Sequence, residues 1–435
     1  MKLNQIHQLF LKCSSVSTDT RKITKGSMFF ALKGANFNGN TFAHKALENG
    51  ANYAVIDEVQ NPSDARFIVV DNVLETLQAL ANFHRTYLGL PIIALTGSNG
   101  KTTTKELIYA VLKPYFNTAA TVGNLNNHIG VPLTLLSMTT ATQIGIVEMG
   151  ANHAKEIALL CEIAQPNIGY ITNFGKAHLE GFGSEEGVVK AKSELYDYLK
   201  ANSGLIILNS EDPKQIAQVG AYTHTYTFSE TLETAVNVKL KATQPFLSLA
   251  LKNTTLNTNL VGIYNVHNCA AALAIGTYYK LTPLQLKKGI EAYVPVNNRS
   301  QIITQNSNEI LLDAYNANPS SMEVALENFK GIQKSQKLAI LGDMFELGST
   351  SVKEHLAVVN RAIATKDCVF YFVGSHFFEH KTDHPKLQFF KTFNELQLHL
   401  EQSKISNTSI LIKGSRGMAF IKILVFEIFD CSKCS

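Results

Sequence analysis

The sequence has no apolar run that approaches the roughly 20 residues needed to cross a membrane. The apolar part of residues 1–10 is also too short for a signal peptide. Lysines are scattered along the chain and the net charge is only +4, so no basic patch indicates nucleic acid as a partner. Low-complexity tracts, internal repeats and long linkers are absent as well. These absences predict an ordinary globular protein of the cytoplasm, which we expect to be monomeric and to have no membrane span.

Cysteine is sparse, with six residues in the whole chain. Four of them lie in apolar contexts typical of reduced, buried thiols, namely Cys13, Cys161, Cys269 and Cys368. Cys431 and Cys434 form a C-x-x-C pair close to the C-terminus. Because no second pair of ligands lies nearby, a mobile tail is favoured there over a zinc or redox site.

The most informative segment that is present runs from Leu95 to Leu107. It follows an apolar run that predicts a buried parallel strand, and it leads into a run of good helix formers at 105–113. A Gly-rich turn between a strand and a helix surrounds a phosphate with backbone N–H groups. The turn departs from the common P-loop spacing, since its first glycine is Gly97. We predict a nucleoside triphosphate site over a turn without a ligand, with these binding residues: Gly97, Ser98, Asn99, Gly100, Lys101, Thr102 and Thr103.

The pattern of strands and helices predicts an α/β protein of three domains. Residues 1–88 predict a small α/β domain, with strands at Met28–Leu32, Tyr53–Ile56 and Phe67–Val70. Residues 89–294 predict a central ATPase-like domain with a parallel sheet, with strands at Ile92–Leu95, Ile144–Val147, Ile168–Ile171 and Leu205–Leu208. Residues 295–435 predict a Rossmann-like domain, with strands at Ile310–Leu312, Leu338–Leu341, Val369–Val373 and Ile410–Ile412.

Three polar residues follow strands of the predicted central sheet. Glu148 ends one strand, His178 comes just after the next, and Lys192 lies on the helix beyond. Each has an ordinary alternative, as a capping group, a surface histidine and a solvated lysine. Because the carboxyl ends of parallel strands meet at one edge of a sheet, the three together favour an active site around the phosphate loop.

Motifs along the chain resemble those of the ATP-dependent Mur ligases of peptidoglycan synthesis. In the central part they are T-G-S-N-G-K-T-T (96–103), V-E-M-G-A-N (147–152), T-N-F-G-K-A-H-L-E (172–180), A-K-S-E-L (191–195) and G-I-Y-N-V-H-N (262–268). Beyond Arg299, three motifs resemble specifically the member that adds D-alanyl-D-alanine to UDP-N-acetylmuramoyl-tripeptide: D-A-Y-N-A-N-P (313–319), L-G-D-M-F-E-L-G (341–348) and K-G-S-R-G (413–417). Near the N-terminus, D-T-R (19–21) and G-A-N-F-N-G-N (34–40) are similar to that member's elements. The chain departs from the family pattern at Thr20, Asn38, Asn40 and Tyr264.

The resemblance implies a mechanism in which ATP phosphorylates a peptide carboxylate and an amine then attacks the acyl phosphate. It implies Lys101, His178 and Lys192 as catalytic residues. It also implies two Mg²⁺ ions, one held by Thr102 and Glu148 and one by His178 and Lys192. Lys192 would be a carbamate, because a neutral amine is a poor ligand for Mg²⁺.

The resemblance also distributes the substrates. Residues 1–88 would bind the UDP-sugar end of the acceptor, the central domain ATP, and the third domain D-alanyl-D-alanine. The nucleotide's base and ribose would contact Asn268, Arg299 and Asp313. The remaining substrate residues would be Thr20, Asn124, Asn126, Asn127, Asn316 and Asn318. The loop Thr121–His128 has amide and imidazole side chains that suit sugar and peptide hydrogen bonds, with a plain turn as its alternative.

Three other functions compete with this one. The ligase that adds the third peptide residue and folylpolyglutamate synthase share the phosphate loop, and the motifs at 313–319 and 341–348 argue against both. A nucleotide-hydrolysing switch or motor would need the loop alone. Such a switch leaves His178, Lys192 and the first 88 residues without a role.

Overall fold

A computed structural model describes residues 1–58, 64–296, 299–403, 405–418 and 420. Within that part of the chain, no helix is both long and apolar enough to cross a membrane. Its strands form three α/β sheets that follow one another along the sequence, together with one short hairpin. The predicted α/β fold class is therefore confirmed.

The first sheet is parallel and has four strands in the order β1-β2-β5-β6. One helix precedes these strands, a second lies between β4 and β5, and a third follows the last strand. The elements of this part are α1 (Leu3–Phe10), β1 (Val16–Ser17), β2 (Met28–Phe30), β3 (Lys33–Gly34), β4 (Phe37–Asn38), α2 (Ala43–Glu48), β5 (Tyr53–Ile56), β6 (Phe67–Val69) and α3 (Val73–Leu88). The strand predicted at Met28–Leu32 is two residues shorter in the structure.

The central sheet has nine strands in the order β15-β14-β13-β12-β11-β10-β7-β9-β8. Pairing is parallel from β8 to β13, which confirms the parallel arrangement predicted for β7, β9, β10 and β11. Strands β8, β12 and β13 were not predicted, and neither were β14 and β15, which extend the sheet with antiparallel pairing. Its first elements are β7 (Ile92–Thr96), α4 (Lys101–Leu112), β8 (Thr118–Ala120), α5 (Gly130–Leu136), β9 (Ile144–Glu148), α6 (Glu156–Ala164), β10 (Ile168–Ile171) and α7 (Leu179–Phe182). The others are α8 (Glu185–Ala201), β11 (Leu205–Asn209), α9 (Pro213–Val219), β12 (Thr225–Ser229), β13 (Val236–Ala242), β14 (Ser248–Leu251), β15 (Thr254–Asn257), α10 (Asn265–Tyr278) and α11 (Pro283–Ala292).

The third sheet has six strands in the order β16-β17-β21-β18-β19-β20, and only β16 is antiparallel to its neighbour. Its elements are β16 (Gln301–Gln305), β17 (Asn308–Asp313), α12 (Pro319–Lys330), β18 (Lys337–Gly342), α13 (Ser351–Ala364), β19 (Val369–Val373), α14 (Ser375–Phe378), β20 (Leu387–Phe390), α15 (Phe393–Gln402) and β21 (Ser409–Lys413). Short 3-10 helices occur at Thr20–Lys22, Gly39–Phe42, Gly348–Thr350 and Arg416–Met418.

Helix α3 joins the first sheet to the central one through a continuous apolar core, which includes Phe30, Leu77 and Leu160. Two buried histidines lie at this junction. His84 Nε2 is 2.9 Å from the Met138 carbonyl, and His84 Nδ1 is 3.0 Å from His7 Nε2. Because the carbonyl can only accept, His84 donates through Nε2 and accepts through Nδ1, so His7 donates through its own Nε2.

Helix α12 of the third sheet contacts the central part of the chain at both of its ends. At its start, Asn318 and Ser320 hydrogen bond with Asn99 of the phosphate loop. At its end, the Gly331 carbonyl accepts a hydrogen bond from the Gln244 side chain, just after β13. Both ends of this helix therefore attach the third part of the chain to the central part.

The cysteine predictions are mostly confirmed. Cys161, Cys269 and Cys368 are buried free thiols, and burial raises the pKa of Cys368 to about 12. Cys13 was predicted to be buried and is only partly so, because it follows α1 at the edge of the first sheet. Cys431 and Cys434 lie outside the described residues.

Candidate active site

The phosphate loop connects β7 to α4 through two glycines in the left-handed region, Gly97 with φ +142° and Gly100 with φ +79°. A Cβ atom at Gly97 would lie 2.0 Å from Thr172 Oγ1, so the close approach of β10 also requires glycine there. Helix α4 begins at Lys101, four residues before the predicted run of helix formers. Its N-terminal N–H groups therefore open directly onto the loop, which is the arrangement that binds phosphate.

Lys101 lies over its own loop. Its Nζ donates to the Gly97 carbonyl at 2.7 Å and lies 3.4 Å from the Ser98 carbonyl. Burial lowers the pKa of Lys101, with Glu148 opposing that shift and Arg299 adding to it. The ammonium is thus held where a bound phosphate chain would replace its carbonyl partners.

Glu148 ends β9 beneath the loop, and it is almost fully buried. Its Oε1 accepts a hydrogen bond of 2.8 Å from Asn126 Nδ2, whereas its Oε2 is buried without a hydrogen-bond partner. A buried carboxylate oxygen with no donor is costly unless a cation or a donor meets it. Thr102, also buried, lies in the first turn of α4 and lines the same cleft. No group of three or more His, Cys, Asp or Glu side chains arranged for a metal occurs in the described part of the chain.

Lys105, a buried lysine that was not predicted as a site residue, connects helix α4 to the Thr121–His128 loop. Lys105 Nζ on α4 donates to the Thr121 carbonyl at 2.5 Å and pairs with Glu106 at 2.7 Å. Thr121 in turn accepts a hydrogen bond through its Oγ1 from the Glu148 backbone N–H, at 3.0 Å. Helix α4, the Thr121–His128 loop and Glu148 are therefore fixed to one another. The only sequence signal was a lysine on the apolar side of α4.

His178 begins the short helix α7 with a left-handed backbone, φ +54°. Its Nδ1 contacts the carboxylate of Glu346, which comes from the third part of the chain. Close contact with the His178 imidazole holds the pKa of Glu346 below its usual range. Sequence reasoning named His178 as a site residue and did not name Glu346.

Lys192 is fully buried on α8, as the carbamate hypothesis requires, and Lys190 is exposed on another face. Its Nζ donates to the Ala151 carbonyl at 3.1 Å and lies 5.0 Å from the centre of the Phe182 ring. Burial, and then the charge of Lys101, lower its pKa well below the usual range. Glu194, the alternative salt-bridge partner, instead accepts from the backbone N–H groups at the start of α6, Lys155 at 2.6 Å and Ala158 at 2.9 Å.

The residues predicted to meet the base and ribose also line the cleft. Asn268 accepts a hydrogen bond of 3.0 Å from Thr104, directly behind Gly100. The Arg299 guanidinium carbon is 3.6 Å from the centre of the Tyr315 ring. Asp313 pairs with Lys413 at 2.6 Å.

Tyr264, where the chain departs from the family pattern, contacts another side chain in the structure. Its hydroxyl lies 2.6 Å from Ser300 Oγ. Ser300 follows Arg299 and has a left-handed backbone, φ +50°. The backbone N–H of Ser300 also lies 3.3 Å from Asp313 Oδ1, so this contact links α10 to the start of the third sheet.

The predicted substrate residues divide into three groups. Asn318 caps α12 and donates to Asn99 of the phosphate loop, while Asn316 is exposed beside it. In the Thr121–His128 loop, Asn127 Oδ1 accepts hydrogen bonds from the N–H groups of Ile129 and Gly130 where α5 begins, and Asn124 is exposed. Thr20 lies in the part of the chain that forms the first sheet, and its carbonyl accepts a hydrogen bond from the Asn49 side chain.

A single cleft of about 1100 Å³ joins most of these residues. The predicted site residues that line it are Ser98, Asn99, Gly100, Lys101, Thr102, Thr103, Asn124, Asn126, Asn127, Glu148, His178, Asn268, Arg299, Asp313, Asn316 and Asn318. Gly97 and Lys192 are not part of this wall, because Gly97 packs on Thr172 and Lys192 lies behind Ala151. Thr20 is also outside it.

The fold and the site together define a phosphate-loop enzyme whose nucleotide cleft is shared by two α/β sheets. Comparison with family models matches three regions in order: "Mur ligase family, catalytic domain" at 12–85, "Mur ligase middle domain" at 95–276 and "Mur ligase, glutamate ligase domain" at 298–416. The chain belongs to the Mur ligase family and is an enzyme of the ligase class. The resemblance of its motifs is therefore confirmed.

Individual relatives match over nearly the whole chain. UDP-N-acetylmuramoyl-tripeptide–D-alanyl-D-alanine ligase of Bacillus subtilis is 35% identical over 94% of this chain and 92% of its own. A crystal structure of MurF from Acinetobacter baumannii is 29% identical, covers 99% of both chains and gives a TM-score of 0.86. The MurF ligase of Thermotoga maritima in complex with ADP is 26% identical, covers 97% of both chains and gives a TM-score of 0.84.

Proposed function

We propose that this enzyme ligates D-alanyl-D-alanine to UDP-N-acetylmuramoyl-tripeptide, with ATP converted to ADP and phosphate. The observation that carries the proposal is one cleft that contains a phosphate loop, Lys101 and a buried, half-partnered Glu148 carboxylate. The name and the full-length similarity of the relatives support the choice of substrates. Because ATP and UDP-linked sugars are cytoplasmic metabolites, we expect the reaction in the cytoplasm, as a step of peptidoglycan precursor synthesis.

The chemistry starts from a carboxylate, which is a poor electrophile. A carboxylate oxygen of the tripeptide attacks the γ-phosphorus of ATP, and the bond from that phosphorus to the β–γ bridging oxygen breaks, giving ADP and an acyl phosphate. The amine of D-alanyl-D-alanine then attacks the acyl carbon, loses a proton, and phosphate leaves with the original carboxylate oxygen. Several anions meet in this cleft, so positioning and charge neutralisation dominate catalysis.

The protein's contribution to phosphoryl transfer comes from the loop. Backbone N–H groups at the start of α4 and the Lys101 ammonium surround the β- and γ-phosphates. When bound, Mg²⁺ supplies further positive charge to the phosphates and the carboxylate. We propose Thr102 and Glu148 for one ion, which suits the unpartnered Oε2 of Glu148.

For the second ion we propose His178 and a carbamylated Lys192. Carbamylation requires a neutral amine, and burial of Lys192 without a carboxylate partner favours that form. The modified side chain has to reach past Ala151, whose carbonyl now holds the amine. The exposed Lys190 has no such environment.

We divide the chain into working units at 1–88, 89–294 and 295–435. The first unit, with Thr20, would hold the UDP end of the acceptor, and Asn124, Asn126 and Asn127 its muramoyl-peptide end. Asn268, Arg299 and Asp313 would hold the base and ribose, and Asn316 and Asn318 the incoming dipeptide. We propose a monomer, since one chain supplies every one of these groups.

The test is direct product formation. The purified protein is incubated with ATP, Mg²⁺, UDP-N-acetylmuramoyl-tripeptide and D-alanyl-D-alanine, and the pentapeptide product is sought by mass. Phosphate release should depend on both peptide substrates. ATP hydrolysis at the same rate without them would instead favour a nucleotide switch, and a product formed only with another amine would reassign the acceptor pair.

A further inference from the structure

The backbone that carries Glu346 is held in place by hydrogen bonds of the two residues before it. Glu346 follows β18 and has a left-handed backbone, φ +62°. On one side of it, the Met344 N–H donates to His355 Nε2 at 3.0 Å, and the Phe345 N–H donates to Ser415 Oγ at 2.9 Å. Because His355 is fully buried, the segment that carries Glu346 is anchored to the interior of the third part of the chain.

From that anchored segment, Glu346 makes two contacts with the central part of the chain. Its carboxylate contacts His178 Nδ1, and its backbone carbonyl accepts a hydrogen bond of 3.2 Å from the Glu180 N–H. Gly348 packs against the same Glu180, and a Cβ atom at Gly348 would lie 3.4 Å from Glu180 Cα. The contact with His178 is therefore part of a fitted junction between two segments, with both side chains on the wall of the cleft.

We propose that Glu346 is a positioning residue for His178. His178 Nδ1 is buried with no aligned hydrogen-bond partner, and the acceptor in contact with it is the Glu346 carboxylate. A hydrogen on Nδ1 would face that carboxylate, which would leave the lone pair of the neutral ring on Nε2. The same contact restricts rotation of the ring. Carboxylates commonly orient functional imidazoles in this way. The proposal rests on the proposed function, in which His178 acts at the phosphates through a ring nitrogen.

The position of Glu346 adds a second consequence. His178 belongs to the central sheet's part of the chain and Glu346 to the third, so the oriented imidazole exists only while the two are docked. The catalytic arrangement is thereby coupled to the docking that shields an acyl phosphate from water.

An ion pair that only holds the two parts of the chain together, without orienting His178, should respond differently to mutation. Lys176 and Glu354 form such a pair across the same junction, at 2.9 Å, without touching His178. Glu354→Gln should weaken docking and leave the imidazole contact in place. It is therefore the matched comparison for Glu346→Ala.

The first test measures the tautomer of His178 in the protein without nucleotide or metal. Imidazole ¹⁵N spectra are recorded at alkaline pH, where imidazoles are neutral, and the His178 signals among the 13 histidines are assigned with His178→Gln. The wild type and Glu354→Gln should show the Nδ1–H form, and Glu346→Ala a mixture of both forms. A pure Nδ1–H form in Glu346→Ala would overturn the proposal.

The second test measures catalysis. Glu346→Ala should lower kcat by roughly 10- to 100-fold, with a smaller effect on the KM for ATP, and Glu346→Gln should recover part of the rate because it keeps an acceptor. In a His178→Ala background, Glu346→Ala should cause no further loss. The exposed Glu379→Ala serves as the control. An equal loss with and without His178 would reject a positioning role, whereas a wild type that forms no product would reject the proposed reaction and leave the tautomer result intact.

Discussion

Asn318 of α12 donates a hydrogen bond of 2.8 Å from Nδ2 to Oδ1 of Asn99 in the phosphate loop. The same Asn318 caps α12, since its Oδ1 accepts from the Ser321 N–H at 2.9 Å. One side chain therefore has a structural role through its oxygen and a bridging role through its nitrogen.

The two roles of Asn318 can be separated. Asn318→Asp keeps an oxygen for the cap and replaces the donor to Asn99 with a second oxygen. We expect unchanged thermal stability and a clear increase in the KM for ATP, measured by steady-state kinetics. Thr392→Asp, at the cap of α15, introduces the same charge far from the cleft and should change neither quantity. An unaltered KM in Asn318→Asp would show that the bridge does not support nucleotide binding.

Lys101→Ala should abolish most turnover without unfolding the protein. One cation facing the developing charge of phosphoryl transfer is worth about 3–4 kcal/mol, so kcat should fall roughly 100- to 1000-fold. Lys113→Ala, at the exposed end of the same helix, is the control. Turnover near the wild-type level in Lys101→Ala would remove this lysine from the mechanism.

Lys192→Ala should be nearly inactive, because it removes the amine that forms the proposed carbamate. A short carboxylic acid in the assay should restore part of the activity by supplying the missing oxygens. Lys190→Ala should remain active and should not respond to the acid. Most of the activity retained in Lys192→Ala would contradict the carbamate assignment.

Gly97→Ala should disturb the phosphate loop by more than the strain of a left-handed alanine would cause on its own. The added Cβ would lie 2.0 Å from Thr172 Oγ1, so β10 and the loop must move apart. Gly89→Ala is the matched control, because Gly89 is also left-handed but has nothing within 4 Å of an added Cβ. Both variants should lose about 1 kcal/mol of folding free energy to backbone strain. Only Gly97→Ala should also lose nucleotide binding, measured by calorimetry with ADP.

The buried His7–His84 pair should make stability depend on pH. Burial lowers the pKa of both residues, and the charge of His84 lowers that of His7 further. Between about 6.5 and the lower folded pKa values, the unfolded chain binds more protons, so the free energy of unfolding should decrease as pH falls. Denaturation midpoints measured from pH 7.5 to 5 should show this trend. The double variant His7→Gln/His84→Gln should have a shallower slope, and the exposed His153→Gln should leave the slope unchanged.

The phosphate loop and the parallel strands could be predicted because their signals are local. Buried runs of β-branched residues and two glycines before a lysine leave few alternatives. The different faces of Lys190 and Lys192 followed from helical geometry alone. The antiparallel strands β14 and β15 were missed because each is only four residues long, which is too short to show a clear period in the sequence.

Contacts between distant segments could not be predicted from the same signals. Glu346 lies 168 positions from His178 along the chain, and no local pattern indicates that their side chains meet. The Tyr264–Ser300 contact depends on the path of the chain around Arg299, and the burial of Lys105 depends on the position of the Thr121 carbonyl. Such pairings are set by how the sheets are arranged relative to one another.

The attachment of α12 at both ends determines how the enzyme can open. Twelve helical residues span about 18 Å, so the contacts of Asn99 and Gln244 with this helix are well separated. Because the helix is rigid, a rotation of residues 299–418 can keep one of these contacts only by pivoting there, and the other end of the helix then moves farthest. Distance measurements with labels at the two ends of α12 should therefore show which end acts as the pivot when nucleotide is added.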